Sequence, residues 1–324
     1  MIFLRAAIIA CSLLAALLSA AAFAQQWPTR PVRIVVPFPP GQAADIIARL
    51  VAERLTQPLG YQVIIDNRPG AGGSVGTEMA AKAQADGYTY LAGGSAALAI
   101  NPHVYRTLGY DTLKDFAPVT TLVVIPMVFV VNPSVPVQNI QDLIKLAKQR
   151  PGQVSYGSSG SGSTVHLVQV MFASQAGIEL NHVPYKGAVQ SLTDLAGGQI
   201  MMLVETSPAV LPFVRSGKIR AIGVTTIKRV PQLPDVPTVD EQGIKGFDYL
   251  TWTSLVAPAR TPEAILERMN REVTKIIHTP EVSRKLEELA FIPLGNSRAQ
   301  FGAFLKAEYA KWGKAVTMSG AKVD

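Results

Sequence analysis

Short β-branched runs alternate along this chain with stretches whose apolar residues return every three or four positions, the patterns of strands and helices in turn. Residues 32–36, Val-Arg-Ile-Val-Val, read as a buried strand stopped by Pro37, Pro39 and Pro40. Gly41 allows a tight turn. A helix begins near residues 43–45, with Ile46, Ile47 and Leu50 as its apolar stripe and Arg49 and Glu53 outside. Strand 62–66, helix 75–82 and strand 88–92 follow. Residues 116–131 hold two strands around Pro126 and lead into a second half. There, strands 154–156, 181–184, 199–204 and 219–224 alternate with helices 140–149, 165–175 and 189–196, and Pro208 starts another helix. A strand at 250–257 returns to the first half. Helices 262–277, 281–289 and 298–316 finish the chain. This spacing predicts an α/β fold on parallel sheets, in two halves with two chain crossings and no sequence repeat between them.

One kind of loop recurs in both halves: a strand end, small residues, then a helix start. It occurs after residues 36, 66, 92 and 156, and again at Tyr185-Lys186-Gly187-Ala188 and Glu205-Thr206-Ser207. In parallel sheets such loops gather at the carboxyl ends of the strands, where ligands bind. Each helix start leaves backbone N–H groups unpaired, which favours a carboxylate or phosphate. Two facing halves joined twice make a cleft that closes by hinge motion.

The N-terminus adds a destination. Arg5 precedes an apolar run over residues 6–18 that ends in Ala22-Phe23-Ala24, which reads as a secretory signal cleaved after Ala24. The single cysteine, Cys11, leaves with it, so the exported chain relies on its core and not on disulfides. Roughly 300 remaining residues exceed one typical core and favour two domains. We place these at residues 25–125 plus 251–324, and 126–250. The formal charge of +7 falls to +6 without Arg5. The basic residues are scattered, without a stripe of interleaved aromatics, which argues against nucleic acid.

Catalytic signatures are missing. Gly157-Ser158-Ser159-Gly160 and Gly160-Ser161-Gly162-Ser163 both miss the G-x-S-x-G spacing. Gly70 to Val75 lacks the last glycine of a dinucleotide fingerprint, and residues 73–77 lack the P-loop lysine. His103, His166, His182 and His278 have no metal-ligand spacing. His166 and His182 read as packed, hydrogen-bonded histidines, with some functional weight on His166 because it follows the Ser/Gly loop. No cofactor or metal is expected.

Several segments together resemble one family. They are Trp27-Pro28-Thr29-Arg30-Pro31 running into Val32 to Gly41, Asp66-Asn67-Arg68-Pro69-Gly70-Ala71-Gly72-Gly73, Asp86-Gly87-Tyr88-Thr89 and Ala99-Ile100-Asn101-Pro102. Further on come Tyr156-Gly157-Ser158-Ser159-Gly160, His182-Val183-Pro184-Tyr185-Lys186-Gly187, Leu233-Pro234-Asp235-Val236-Pro237-Thr238-Val239, Ala257-Pro258 and Thr261-Pro262. In this order they are similar to the Bug (TctC-like) family, the extracytoplasmic solute-binding proteins of tripartite tricarboxylate transporters. The resemblance implies a two-domain periplasmic-binding-protein (flytrap) fold with two crossovers, and a non-catalytic, monomeric receptor. Its expected partners are a small organic acid and the membrane permease subunits.

Carried over by position, the resemblance assigns ligand contacts to Phe38, Gly41, Gln42, Ala43 and Ala44, to Ser95 and Ala96, and across the cleft to Ser158, Ser159, Gly160 and Ser163. Tyr185, Gly187, Ala188 and Glu205 complete the second wall. Lys186 and Arg68 read as solvated surface residues. The chain departs from the family pattern at Gln42-Ala43-Ala44, where two small residues and then Thr or Ser are usual, and at Glu205, where Asp is common. These two places bear on which ligand is bound. A sensor-kinase input module, or a receptor for a neutral amide or aromatic ligand, are the alternatives.

Overall fold

The computed structural model describes residues 27–322, so the expected signal segment and Cys11 lie outside the described residues. The strands are β1 (Val32–Val36), β2 (Val63–Asn67), β3 (Thr89–Gly94), β4 (Phe116–Val131), β5 (Ser155–Ser158), β6 (Asn181–Pro184), β7 (Met202–Thr206), β8 (Arg220–Val224), β9 (Leu250–Pro258) and β10 (Ile292–Pro293). The helices are α1 (Ala43–Leu59), α2 (Ser74–Ala81), α3 (Asn101–Val104), α4 (Thr112–Asp115), α5 (Ile140–Gln149), α6 (Thr164–Ala176), α7 (Ala188–Ala196), α8 (Ser207–Arg215), α9 (Glu263–Ile277), α10 (Pro280–Glu288) and α11 (Arg298–Ser319). A 3₁₀ turn at Ala71–Gly73 precedes α2, and a π-helical turn at Ser95–Ile100 joins β3 to α3.

The strands form a two-lobed sheet in the order β2-β1-β3-β9-β4-β7-β5-β6, with β8 and β10 also pairing with β4. The pairs β1–β2, β1–β3, β5–β6 and β5–β7 are parallel. The sheet as a whole is mixed, which corrects the expectation of parallel sheets. Strand β9 returns from the second half, inserts between β3 and β4, and runs antiparallel to both.

A second correction concerns Pro126. The two strands expected around it are one strand of 16 residues, β4. Up to Pro126, opposite Leu250, β4 pairs with β9; from Met127 it pairs with β7. Proline cannot donate to a ladder. It is tolerated here because it stands where the strand changes partners. The Met127 amide, one residue on, donates to the Thr225 hydroxyl at 3.2 Å. The two passages between the halves are therefore neighbours, Pro126 on one and Leu250 on the other.

Each lobe has its own packing. Around β1, Val32, Ile34 and Val36 pack with Ile47, Val51 and Leu55 of α1 and with Met269 and Val273 of α9. Burying each such side chain contributes about 1.5–3 kcal/mol. Around β7, Leu203 packs with Leu192 and Leu195 of α7 and with Val210 of α8. A third cluster spans the junction, from Leu91 and Leu98 through Phe129 and Tyr156 to Phe301 and Trp312 of α11.

Candidate functional site

The loop after β1 is braced from within. The buried Asp45, in the first turn of α1, accepts from the Gly41 amide at 2.9 Å, from Arg49 at 3.0 Å and from Asn67 at 2.9 Å. Asn67 also donates to the Phe38 carbonyl at 3.1 Å. Burial works to raise the Asp45 pKa, but these donors outweigh it and hold the group below its ordinary value. The carboxylate thus fixes residues 38–45 at the helix start. Gln42 is the N-cap by backbone geometry, yet its side chain makes no capping hydrogen bond.

Gln42 and Ala43 face a cleft cavity of about 810 Å³, closed on the far side by Ser159, Lys186, Gly187, Ala188, Glu205 and Thr206. A smaller space of about 140 Å³ continues it inward, lined among others by Phe38, Ala44, Ser95, Ala96, Thr206 and Thr251. Gln42, Ala43 and Thr206 border both. The starts of α1, α7 and α8 and of the π-helical turn at Ser95 open onto this connected space. Their first N–H groups supply positive partial charge without a fixed cation. Lys186 and Glu205 are the charged side chains on the lining.

Ten of the residues assigned by resemblance border this space: Phe38, Gln42, Ala43, Ala44, Ser95, Ala96, Ser159, Gly187, Ala188 and Glu205. The Ser95 hydroxyl is already engaged, 2.5 Å from that of Thr251 and accepting from the Trp252 amide at 3.2 Å. Five others lie off the lining. Gly41 is committed to Asp45. Ser163 caps α6 and faces a separate side pocket. Its hydroxyl donates to the Gly160 carbonyl at 2.7 Å. Tyr185 donates to Asp194 at 2.8 Å. Ser158 is the last residue of β5 and fully buried. Lys186, read from sequence as plain surface, borders the cavity, as do Thr206 and Thr251, which sequence reading passed over.

The two histidines form a stack behind the Ser/Gly loop. The rings of His166 and His182 are 4.2 Å apart, with Tyr156 4.9 Å from His182. His182 Nε2 lies 2.6 Å from the Ser158 hydroxyl. This has the look of a nucleophile and base, but Ser158 is fully buried and also shares its hydroxyl with the Gly160 backbone. A substrate carbonyl has no approach to it.

His166 Nδ1 accepts from the Gly162 amide at 3.2 Å, so the pair holds the loop after β5 in place while neutral. Burial, and then the neighbouring His182, push the His166 pKa down to about 4. Burial lowers His182 as well. The unfolded chain therefore binds this proton first. The His166 contribution is complete above about pH 6.5 and is lost as pH falls toward 4. Urea denaturation between these values should show stability dropping by about 1 kcal/mol per pH unit. A His166→Asn variant should show a shallower slope; an unchanged slope would remove His166 from the account.

Comparison with known proteins is consistent along the chain. The model of the family described as tripartite tricarboxylate transporter family receptor matches residues 47–320. BugT of Bordetella pertussis is 35% identical over 301 residues, covering 93% of this chain and 92% of BugT. Rpa4515 of R. palustris, solved with adipate, superposes with a TM-score of 0.80 at 39% identity, over 92% of this chain and 100% of that one. MatC (Rpa3494) of Rhodopseudomonas palustris, solved with bound malate, gives 0.75 at 27% identity, over 90% of this chain and 100% of that one.

Proposed function

The chain belongs to the tripartite tricarboxylate transporter receptor family, the Bug/TctC-like solute-binding proteins, which are receptors and not enzymes, and from that premise we propose that it captures a small organic acid between its two domains and hands it to a membrane permease. The domains in this reading are residues 25–125 plus 251–324, and 126–250. The change of partner along β4 at Pro126 supports that division. The observation that carries the proposal is the convergence of four helical starts on one cavity. Oriented N–H groups stabilise an anion without the cost of a buried cation. The relatives solved with adipate and malate support a carboxylate ligand. In this reading ligand binding draws the walls at residues 42–43 and 186–188 together and shifts the protein toward its closed form.

A thermal-shift panel of adipate, malate, glutarate and hexanoate, with adipamide as neutral control, tests this. A true ligand at a hundredfold excess over its Kd stabilises the fold by about 2.7 kcal/mol. Stabilisation by adipamide and by none of the acids would overturn the anion assignment. Gln42 is the assigned reader of ligand identity, because its amide is unused by the fold. Gln42→Gly should change affinity for the best acid by about fivefold and leave the melting temperature of the unliganded protein in place, since glycine is a good N-cap. An unchanged affinity would remove Gln42 from the site.

A further inference from the structure

Among the described residues Glu205 is the one acidic side chain on the lining of the cleft cavity, and it is buried there without a cationic partner. It sits near the end of β7, opposite Val128 of β4, and only 5% of its surface is exposed. Its Oε1 accepts from the Thr206 amide at 2.8 Å, and Ser159 lines the same cavity beside it. Among the described residues no ion pair involves it. An ionised Glu205 facing a bound carboxylate at about 4 Å would repel it in the low-dielectric cleft. A carboxylic acid in the same place would make a charge-assisted O–H···O⁻ hydrogen bond, which is among the stronger ones.

Resting on the carboxylate reading above, we propose that Glu205 sets the specificity of the cleft: its carboxyl group, in the acid form, donates an O–H hydrogen bond to a carboxylate oxygen of the ligand, so that tight capture requires one proton on this side chain. The proton stays on Glu205 and no bond to carbon changes. Burial raises the pKa of this group against the donors of Thr206, in the direction the proposal needs. The charged and titratable groups around it do not imitate the effect. His166 of α6 and His182 of β6 are both lowered by burial and are neutral above pH 6.5. Across the cleft, Asp45 of α1 is held ionised and paired with Arg49. Tyr185 is raised to about 12. Lys186 lies exposed on the same wall without an ion pair to Glu205.

The test is the affinity of the full exported chain for adipate, malate, glutarate and hexanoate by calorimetry between pH 6.5 and 9, a window above the titration of the acids themselves. Affinity should fall as pH rises, by up to about tenfold per pH unit. Glu205→Gln keeps a donor of the same shape without a titrating proton, so it should bind the same acid with a flat pH profile. Calorimetry of the unmutated protein in buffers of different ionisation enthalpy should count up to one proton taken up per ligand bound. A flat profile in the unmutated protein, or an equally steep one in Glu205→Gln, overturns the proposal and leaves the carboxylate reading standing. Affinity that rises with pH and is lost in Glu205→Gln also overturns it, because it marks an ionised acceptor for a ligand ammonium or hydroxyl. Absence of binding to all four acids at every pH overturns the carboxylate reading itself and this inference with it.

Discussion

Replacing Gly94 by alanine should destabilise the protein by about 3 kcal/mol or more, the upper range for forcing extra volume into a packed core. The reason is space and not conformation, because the Gly94 backbone is extended, at φ −147° and ψ −166°. A Cβ there would lie 2.1 Å from the Trp252 carbonyl oxygen, which belongs to the backbone of β9 and cannot rotate away. Gly93 is the control. A Cβ at Gly93 would meet the end of the Leu98 side chain at 2.9 Å, and a leucine can change rotamer. Urea denaturation of the two variants should separate them, with Gly93→Ala the milder. Equal midpoints would show that β9 gives way more easily than its pairing suggests. Because Gly94 and Trp252 both border the inner end of the cavity, a surviving Gly94→Ala protein should also bind ligand poorly.

The second large effect is expected at Glu308, on α11. Its Oε2 accepts from the indole N–H of Trp252 on β9 and from that of Trp312 on α11, each at 2.9 Å. Its other oxygen pairs with Lys311, which also donates to the Asp248 carbonyl at 3.1 Å. The cluster thus ties the C-terminal helix to residues 248–252, where the chain passes between the halves. Glu308 is buried, as are both indoles. Glu308→Ala leaves two indole donors and a cation without their acceptor, a loss of about 3–5 kcal/mol. Glu308→Gln keeps an oxygen for both indoles but turns an amide toward Lys311, and should cost about 1 kcal/mol. Thermal unfolding followed by tryptophan fluorescence reads both. A Glu308→Ala protein within 1 kcal/mol of the parent would mean that water replaces the carboxyl group.

Most of the lobes was readable because local signals agreed there. Helix α5 matches its expected span, with Asn139 capping it by accepting from the Asp142 amide at 2.8 Å. Strand β6 does likewise, and the loops before α1, α7 and α8 follow from their small residues and helix starts. What escaped were relations between distant residues. Nothing near Pro126 tells that its strand changes partners instead of ending. Asp45 and Asn67 are 22 residues apart, and Trp252 and Glu308 are 56 apart. The Ser/Gly loop shows how one residue matters. Strand β5 continues to Ser158, past the expected end at residue 156. Alternation along a strand then turns Ser158 inward to His182 and leaves Ser159 toward the cleft.

Strand β4 has a mechanical consequence. A loop between lobes would let them rotate with little restoring force. An unbroken strand hydrogen-bonded in both lobes cannot slacken, so rotation must be absorbed as added twist along its backbone around Pro126. Such a joint behaves as a torsion spring. In the proposed closing motion, work stored in it would be subtracted from the affinity for the bound acid and returned when the lobes part, so its stiffness would set how readily the acid is released.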